Sequence, residues 1–160
     1  MKKNRVGKEQ AILSIRHFCA YQERAQQEVR DKLYELGMTT PEVEEILSDL
    51  ISENFLNEAR FATSFAGGHF RIKGWGKLKI NHALYQKRVS AYNIKMALKS
   101  IDQDDYQAKL YDLATKKWAT LKGERGLSRM AKTMAFLHQR GFEPALIQPI
   151  LQKLNKPGSK

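Results

Sequence analysis

A repeated apolar pattern is the feature of this sequence that most constrains its fold. Eight positions in the first third of the chain are apolar or aromatic, and all eight stay so after a shift of 51 residues. A further shift of 53 residues keeps six of the eight. The positions are Val29, Leu33, Tyr34, Met38, Val43, Ile46, Leu47 and Leu50, then Ile80, Leu84, Tyr85, Val89, Ile94, Ala97, Leu98 and Ile101, then Thr133, Leu137, His138, Phe142, Ile147, Ile150, Leu151 and Leu154. Self-similarity of this kind predicts three stacked copies of one structural unit.

The spacing within each copy is helical, and alternating β-type patterns are absent. One apolar stripe runs from Ile12 to Cys19, and a second runs from Val29 to Leu36. The sequence therefore predicts an all-α protein in which three tandem three-helix repeats form an elongated, curved array. We place the repeats at residues 1–56, 57–102 and 103–160.

Several helix ends can be placed from local signals. Gly37 and Gly141 fall where a helix needs a left-handed terminating residue. Thr40, followed by a first-turn proline and Glu42, is typical of an N-cap. Pro144 is expected to open the matching helix of the third repeat, which Pro149 should kink or delay.

The helices of the second and third repeats are also bounded by recognisable residues. We expect Asn57 to cap a helix that passes through Phe61 and Phe65 and ends at Gly67-Gly68. Asp104 or Asp105 is expected to cap the first helix of the third repeat. The side chains expected to point inward from that helix are Tyr111, Ala114, Trp118 and Leu121.

Charge is distributed unevenly along the chain, which carries 28 Lys and Arg against 17 Asp and Glu. Residues 1–56 hold 8 basic and 10 acidic side chains, whereas residues 57–160 hold 20 and 7. No acidic residue occurs between Glu58 and Asp102. A one-signed stretch of this length favours a polyanionic partner, with nucleic acid first and an anionic membrane second.

The densest basic stretch, from Gly67 to Lys77, alternates cations with aromatic residues, which suits phosphate contact together with stacking. The alternative is that Phe70 and Trp75 are core anchors between two helices. The candidate binding residues are Arg60, Arg71, Lys73, Trp75, Lys77, Lys79, Lys87, Arg88, Lys116, Lys117, Arg125, Arg129 and Lys132.

Catalytic machinery is not recognisable. Gly76-Lys77 lacks the spacing and the following Ser or Thr of a phosphate loop, and no serine lies in a nucleophile elbow. The four histidines lack metal-ligand spacing, and Cys19 is the single cysteine, expected to be a small core residue. We therefore predict no enzyme activity, no cofactor and no metal. No apolar run is long enough to span a bilayer, so we expect a cytoplasmic protein with no membrane partner.

The stretch Asn57-Glu58-Ala59-Arg60-Phe61-Ala62, followed by Arg71-Ile72-Lys73-Gly74 and Lys79-Ile80, resembles the RecX family of bacterial recombinase regulators. The upstream segment Lys32-Leu33-Tyr34-Glu35-Leu36-Gly37 also fits that family, and the resemblance covers roughly residues 10–155. Two departures occur. Asn57 and Glu58 stand where the family often has Asp before its Arg-Phe-Ala. Lys87 is followed by Arg88 where the family often has Lys-Gly, which is expected to lose the left-handed cap.

The resemblance implies a protein that binds the groove of the RecA–DNA filament, with single- or double-stranded DNA inside it. It implies inhibition of strand exchange, ATP hydrolysis and co-protease activity, and hence control of recombination and the SOS response. We expect the chain to be a monomer. Two alternatives stay open. One is a stand-alone helix-turn-helix DNA-binding regulator built on the segment from Gly74 to Arg88. The other is a helical scaffold for a protein partner.

Overall fold

The computed structural model describes residues 5–157, and over that range the chain forms nine α-helices and no β-strand. The prediction of an all-α repeat protein is confirmed. The helices are α1 Lys8–Tyr21, α2 Gln26–Glu35, α3 Thr40–Ser52, α4 Glu58–Lys73, α5 Lys77–Gln86, α6 Ala91–Lys99, α7 Gln103–Thr120, α8 Gly126–Gln139 and α9 Pro144–Leu154.

The helices belong to two compact units. The first unit contains the residues up to Phe65 together with Leu84–Ala97, and the second contains Ala66–Ala83 together with the residues from Leu98 onward. Parts of α4, α5 and α6 therefore belong to each unit. The repeat boundaries 1–56, 57–102 and 103–160 stay a prediction, because they describe which segments share a pattern rather than which segments pack together.

The core of the first unit is built from the inward stripes of α1, α2 and α3. Ile15, Val29, Leu33 and Val43 are completely buried, and each such side chain stabilises the fold by roughly 1.5–3 kcal/mol. Cys19 is 6% exposed in the same cluster. Burial raises the pKa of its thiol, with a smaller opposing effect from a neighbouring arginine. The expectation that Cys19 is a core residue is confirmed.

The N-terminus of α3 carries a capping box one residue earlier than predicted. Thr39, not Thr40, is the cap: its hydroxyl accepts a hydrogen bond from the Glu42 N–H at 3.4 Å. The Glu42 carboxylate in turn accepts the Thr39 N–H at 3.0 Å and the Thr39 hydroxyl at 2.9 Å. These hydrogen bonds from Thr39 lower the pKa of Glu42, because they stabilise the ionised carboxylate.

The second helix of every repeat ends in the same left-handed turn. Gly37, Arg88 and Gly141 have φ values of 90°, 62° and 98°. At each end the N–H of the left-handed residue bonds a carbonyl three residues back, and the next N–H bonds one five residues back, which is the Schellman pattern. The predictions for Gly37 and Gly141 are confirmed. The expectation that Arg88 loses the cap is wrong, since Arg88 adopts the same conformation at a steric cost that glycine avoids.

The first helix of the second repeat is longer than predicted. Asn57 caps it as expected, with its side-chain oxygen accepting the Arg60 N–H at 2.9 Å. The prediction that Gly67-Gly68 ends it is wrong, because α4 continues to Lys73 and the left-handed residue is Gly74, with φ 66°. Gly67 is buried inside the helix under the Arg71 guanidinium, where a Cβ atom would lie 2.7 Å from Arg71 Nη1. Gly67 therefore lies in the interior of α4 and does not terminate it.

The core of the second unit is centred on α7. Tyr106, Leu110 and Ala114 are completely buried, and Trp118 is 4% exposed, so the inward positions predicted for Ala114 and Trp118 are confirmed. Tyr111 is 43% exposed, which overturns its inward prediction, and Leu121 is only partly buried and follows the end of the helix. The buried positions of α7 therefore recur every four residues, beginning at Tyr106.

The starts of α7 and α9 lie in the second unit, and the sequence predicts residues for both. The cap of α7 is Asp102, whose carboxylate accepts the Asp105 N–H at 2.9 Å, so the assignment to Asp104 or Asp105 is wrong. Pro144 opens α9 as predicted. Pro149 lies inside α9 and does not delay its start.

Candidate nucleic-acid interface

The turn between α4 and α5 is fixed against the turn between α8 and α9. The Gly76 N–H donates to the Arg140 carbonyl at 2.8 Å, and the Leu78 N–H donates to the Gly141 carbonyl at 2.9 Å. Only glycine permits this approach, because a Cβ atom on Gly76 would lie 2.3 Å from the carbonyl carbon of Gly141. The backbone that carries the side chains of the α4–α5 turn is thus held in place by the α8–α9 turn.

The Tyr106 side chain holds the start of α5 in place. Its hydroxyl accepts the Lys77 N–H at 2.9 Å and donates to the Glu143 carboxylate in a short hydrogen bond. Its ring packs against Phe70 and Phe142, with centroids 5.7 and 5.3 Å away. Burial raises the pKa of the Tyr106 hydroxyl far above its ordinary value, and the hydrogen bond to Glu143 raises it further. The hydroxyl stays protonated and keeps both partners.

Cations surround Trp75 on this turn. Lys79 Nζ lies 4.7 Å and Lys73 Nζ lies 5.6 Å from the centroid of the Trp75 ring, and the His69 ring centroid is 4.6 Å away. Arg140 Nη1 donates to the Lys73 carbonyl at 3.0 Å. Within residues 5–157, Lys73, Lys79 and Arg140 form no ion pair with an acid. Their positive charges are therefore uncompensated by near neighbours.

Trp75, Lys79 and Arg140 line a shallow cavity of about 320 Å³, together with Phe136 and Gln139. The Arg140 guanidinium lies 5.0 Å from the Phe136 ring centroid, and Lys117 Nζ lies 4.9 Å from the same ring. We call the set Lys73, Trp75, Lys79, Lys117, Phe136, Gln139 and Arg140 the Trp75 cluster.

Two predicted cations flank the Trp75 cluster. Lys77 Nζ lies 4.8 Å from the Tyr106 ring centroid, and Arg71 is exposed at the end of α4. The Lys109 ammonium donates to the Arg71 carbonyl at 3.4 Å. Neither Arg71 nor Lys77 pairs with an acid among the described residues. Of the two aromatic residues in this stretch, Phe70 is a core anchor at 5% exposure, whereas Trp75 is partly exposed and lines the cavity.

The other predicted cations of the second unit have diverse surroundings. Lys116 pairs with Asp112 at 2.9 Å on the surface of α7. Lys132 pairs with Glu124, and the hydrogen bonds from Lys132 and Ser128 lower the pKa of that carboxyl group. Arg129 donates twice to the Trp118 carbonyl, at 2.6 and 3.1 Å, and lies over the Trp118 ring. Arg125 is exposed before α8.

Lys87 and Arg88 lie in the first unit and have partners there. Lys87 Nζ pairs with Glu28 at 3.4 Å, and Arg88 Nη1 donates to Gln27 at 3.1 Å. The structure thus brings Lys73, Trp75, Lys79 and Lys117 together. It gives Lys87, Lys116 and Lys132 acidic partners that sequence reasoning did not identify.

Three members of the Trp75 cluster, Phe136, Gln139 and Arg140, were missed at the sequence level. One signal for Arg140 was available, because a cation directly before the left-handed residue recurs in the second and third repeats, as Lys87 and Arg140. For Phe136 and Gln139 there was no such signal. They reach the cavity only because the α8–α9 turn packs on the α4–α5 turn.

The part of the chain that the structure describes contains no group of three or more His, Cys, Asp or Glu side chains that could hold a metal ion. No helix in that part has the length and apolar character needed to cross a membrane.

Comparison with known proteins decides the family. Residues 57–98 match the model of the second three-helix domain of RecX, and residues 104–151 match that of the third. The regulatory protein RecX of Prosthecochloris aestuarii is 31% identical over 137 residues, which cover 86% of this chain and 88% of that protein. This chain belongs to the RecX family. The resemblance inferred from the sequence is confirmed, and the family is one of regulatory proteins.

Other RecX proteins agree with this assignment. The regulatory protein RecX of Oceanobacillus iheyensis is 24% identical over 139 residues, covering 87% of this chain and 51% of that protein. The chain therefore spans about half the length of that relative. The crystal structure of RecX from Lactobacillus salivarius superposes with a TM-score of 0.84 at 23% identity, over 92% of this chain and 96% of the other. That likeness shows that the RecX fold is shared.

The RecX-like Arg60-Phe61-Ala62 segment has a structural explanation in this chain. Phe61 and Ala62 are buried at 5% and 0% exposure. Arg60 Nε donates to both carboxylate oxygens of Glu23, at 2.6 and 2.8 Å. Its guanidinium also donates to the Asn54 carbonyl at 3.1 Å. Arg60 therefore ties the start of α4 to the segment after α1 and to the left-handed turn after α3.

Proposed function

We propose that this RecX-family chain binds the groove of the RecA–DNA filament and inhibits its recombinase, ATPase and co-protease activities. Such binding would restrain recombination and the SOS response. The observation that carries the proposal is the concentration of unpaired cations at the α4–α5 turn. Arg71, Lys73, Lys77 and Lys79 lie within nine residues of sequence, and none pairs with a described acid. The turn between them is held by two backbone hydrogen bonds.

DNA is a polyelectrolyte, so these cations can contribute to the affinity for it. Each phosphate that a cation neutralises releases condensed counterions, so unpaired lysine and arginine side chains raise affinity. A cation that already pairs with a carboxylate must break that pair first. The α4–α5 turn is therefore a stronger candidate for phosphate contact than Arg60, Lys87, Lys116 or Lys132.

We further propose that the first repeat contacts RecA protein, while the second and third contact DNA phosphates or acidic filament surfaces. The charge split supports this division, since residues 1–56 carry more acids than cations and residues 57–160 carry 20 cations and 7 acids. Among the described residues, four cations of the first repeat are also neutralised locally, because Arg5, Lys8, Arg16 and Arg30 pair with Glu42, Glu45, Glu53 and Glu44.

A pull-down with the host RecA tests the proposal, with DNA and nucleotide each present or omitted. We expect retention only when a filament can assemble, and weaker retention for the variant in which Arg71, Lys73, Lys77 and Lys79 are replaced by Ala. Retention that ignores both DNA and salt would instead favour a scaffold for a protein partner. Strong sequence-specific binding to duplex DNA without RecA, seen in a gel shift, would favour a stand-alone DNA-binding regulator.

A further inference from the structure

We infer that the Trp75 cluster is a binding subsite for one nucleotide of a single strand, with its phosphate on Lys79 and Arg140 and its base against Trp75. The inference deepens the proposed function, and it rests on that function for the natural source of the strand. It adds contact with a base to the phosphate contacts proposed for the same surface.

The size and lining of the cavity fit a nucleotide. Its volume of about 320 Å³ lies at the lower end of the range for ligand sites, roughly 300–1,000 Å³. Two aromatic side chains, Trp75 and Phe136, offer apolar surface, and the Gln139 amide offers both a donor and an acceptor. No acidic side chain lines the cavity, so nothing in its wall repels a phosphate.

The arrangement of the cations favours binding of an anion. Lys79 lies over the Trp75 ring and Arg140 lies over the Phe136 ring, which places each positive charge beside an aromatic surface. Lys73 and Lys117 add two further charges near the same rings. Four cations around one cavity repel one another, and a bound phosphate relieves that repulsion while the rings accommodate the base.

The arrangement favours a single strand over a duplex. In a duplex each base is stacked between its neighbours, so an aromatic side chain can reach it only after unstacking it. A single strand presents bases that can leave the stack, and aromatic contact with such a base is sequence-tolerant. The cavity has the size of one nucleotide, and the α4–α5 turn beside it is held by two backbone hydrogen bonds to the α8–α9 turn.

Intrinsic fluorescence tests the subsite without RecA. The chain contains two tryptophans, and Trp118 is buried at 4% exposure, so the Trp118→Phe variant reports on Trp75 alone. The probes are hexathymidylate, an abasic strand with the same number of phosphates, and duplex DNA of equal length. If Trp118→Phe does not fold, the difference between the wild-type chain and Trp75→Phe supplies the same signal.

We expect hexathymidylate to quench Trp75 emission and to bind about tenfold or more tightly than the abasic strand, because base–aromatic contact adds to phosphate contact. Lys79→Gln and Arg140→Gln should each weaken binding severalfold, whereas the matched charge variant Lys32→Gln should not. Equal affinity for the two strands without quenching, or tighter binding of the duplex, would overturn the subsite.

Failure of this experiment can be told apart from failure of the proposed function. A chain that is retained by the filament but does not discriminate the base-bearing strand lacks the subsite and keeps the filament role. A chain that binds hexathymidylate through Trp75 but ignores the filament keeps the subsite and loses that role.

Discussion

Gly76 and Gly141 approach each other so closely that a Cβ atom on Gly76 would lie 2.3 Å from the carbonyl carbon of Gly141. This contact joins the α4–α5 turn to the α8–α9 turn within the second compact unit. Because two backbone hydrogen bonds depend on it, it holds Trp75 and Lys79 in place.

Gly76→Ala should therefore lower the free energy of unfolding by about 1–3 kcal/mol, since the methyl group must push one backbone segment away from another. Urea unfolding followed by circular dichroism measures the change. Gly68→Ala is the matched control: a Cβ atom there meets nothing within 4 Å inside α4. That variant should stabilise the chain by up to about 1 kcal/mol. Equal effects of the two substitutions would contradict the close-contact account.

Arg88 is the left-handed residue of the second repeat, at the position where the first and third repeats have glycine. Replacing Arg88 by Gly or by Ala removes the hydrogen bond to Gln27 in both cases, but only the Gly variant also relieves the steric cost. We expect the Gly variant to be more stable than the Ala variant by about 1 kcal/mol. Thermal unfolding of the pair measures this difference. An Ala variant as stable as the Gly variant would show that the turn is not strained.

Tyr106→Phe should leave the Lys77 N–H and the Glu143 carboxylate without their shared partner. At neutral pH we expect a loss of about 1–3 kcal/mol in the free energy of unfolding. Denaturant titrations of the wild-type chain and the variant at pH 7 would measure it.

The effect of Tyr106 should also depend on pH. The folded chain holds the hydroxyl protonated, with its pKa raised by burial, whereas in the unfolded chain it ionises near pH 10. Its contribution is thus fully present below about pH 10, and it falls above that by about 1.4 kcal/mol per pH unit. The stability gap between wild type and Tyr106→Phe should narrow as the pH rises from 10 to 11. A gap that stays constant would contradict a protonated, buried hydroxyl.

The Arg60–Glu23 pair should show a larger coupling free energy than an ordinary surface pair. Arg60 contacts both oxygens of Glu23 and also the Asn54 carbonyl, while Lys116 and Asp112 form one exposed pair on a single helix. Double-mutant cycles with Ala should give about 1 kcal/mol for the first pair and about 0.3–0.5 kcal/mol for the second. Equal coupling would show that the geometry at Arg60 adds nothing.

Apolar periodicity predicted the all-α class and most of the core positions, because buried apolar stripes recur with helical spacing. The exceptions include Tyr34, Tyr85 and Tyr111, which are 40%, 71% and 43% exposed. Helix ends were less predictable. Gly67-Gly68 has the composition of a helix end, yet both glycines lie inside α4, which continues to Lys73 and is followed by the left-handed Gly74. Arg88 lacks the composition of a helix end and yet provides one, since the carbonyls of Leu84 and Tyr85 still receive their Schellman hydrogen bonds.

The candidate site was predictable in charge but not in geometry. The acid-free stretch from Glu58 to Asp102 identified Lys73, Trp75 and Lys79. It could not show that Arg140 and Phe136, more than fifty residues away, complete the same cavity. The charge pattern also could not distinguish Lys73, which forms no ion pair with a described acid, from Lys87, which pairs with Glu28. Both distinctions depend on tertiary packing.

The salt dependence of filament binding tests the central claim most directly. Binding to RecA–DNA filaments should be measured between 50 and 200 mM salt for the wild-type chain, for Lys73→Gln/Lys79→Gln, and for the charge-matched control Lys8→Gln/Lys32→Gln in the first repeat. Loss of two phosphate contacts should reduce the slope of log affinity against log salt by about 1.4–1.8. The control should keep the wild-type slope. Equal slopes for all three proteins, or wild-type binding that does not change with salt, would contradict the account.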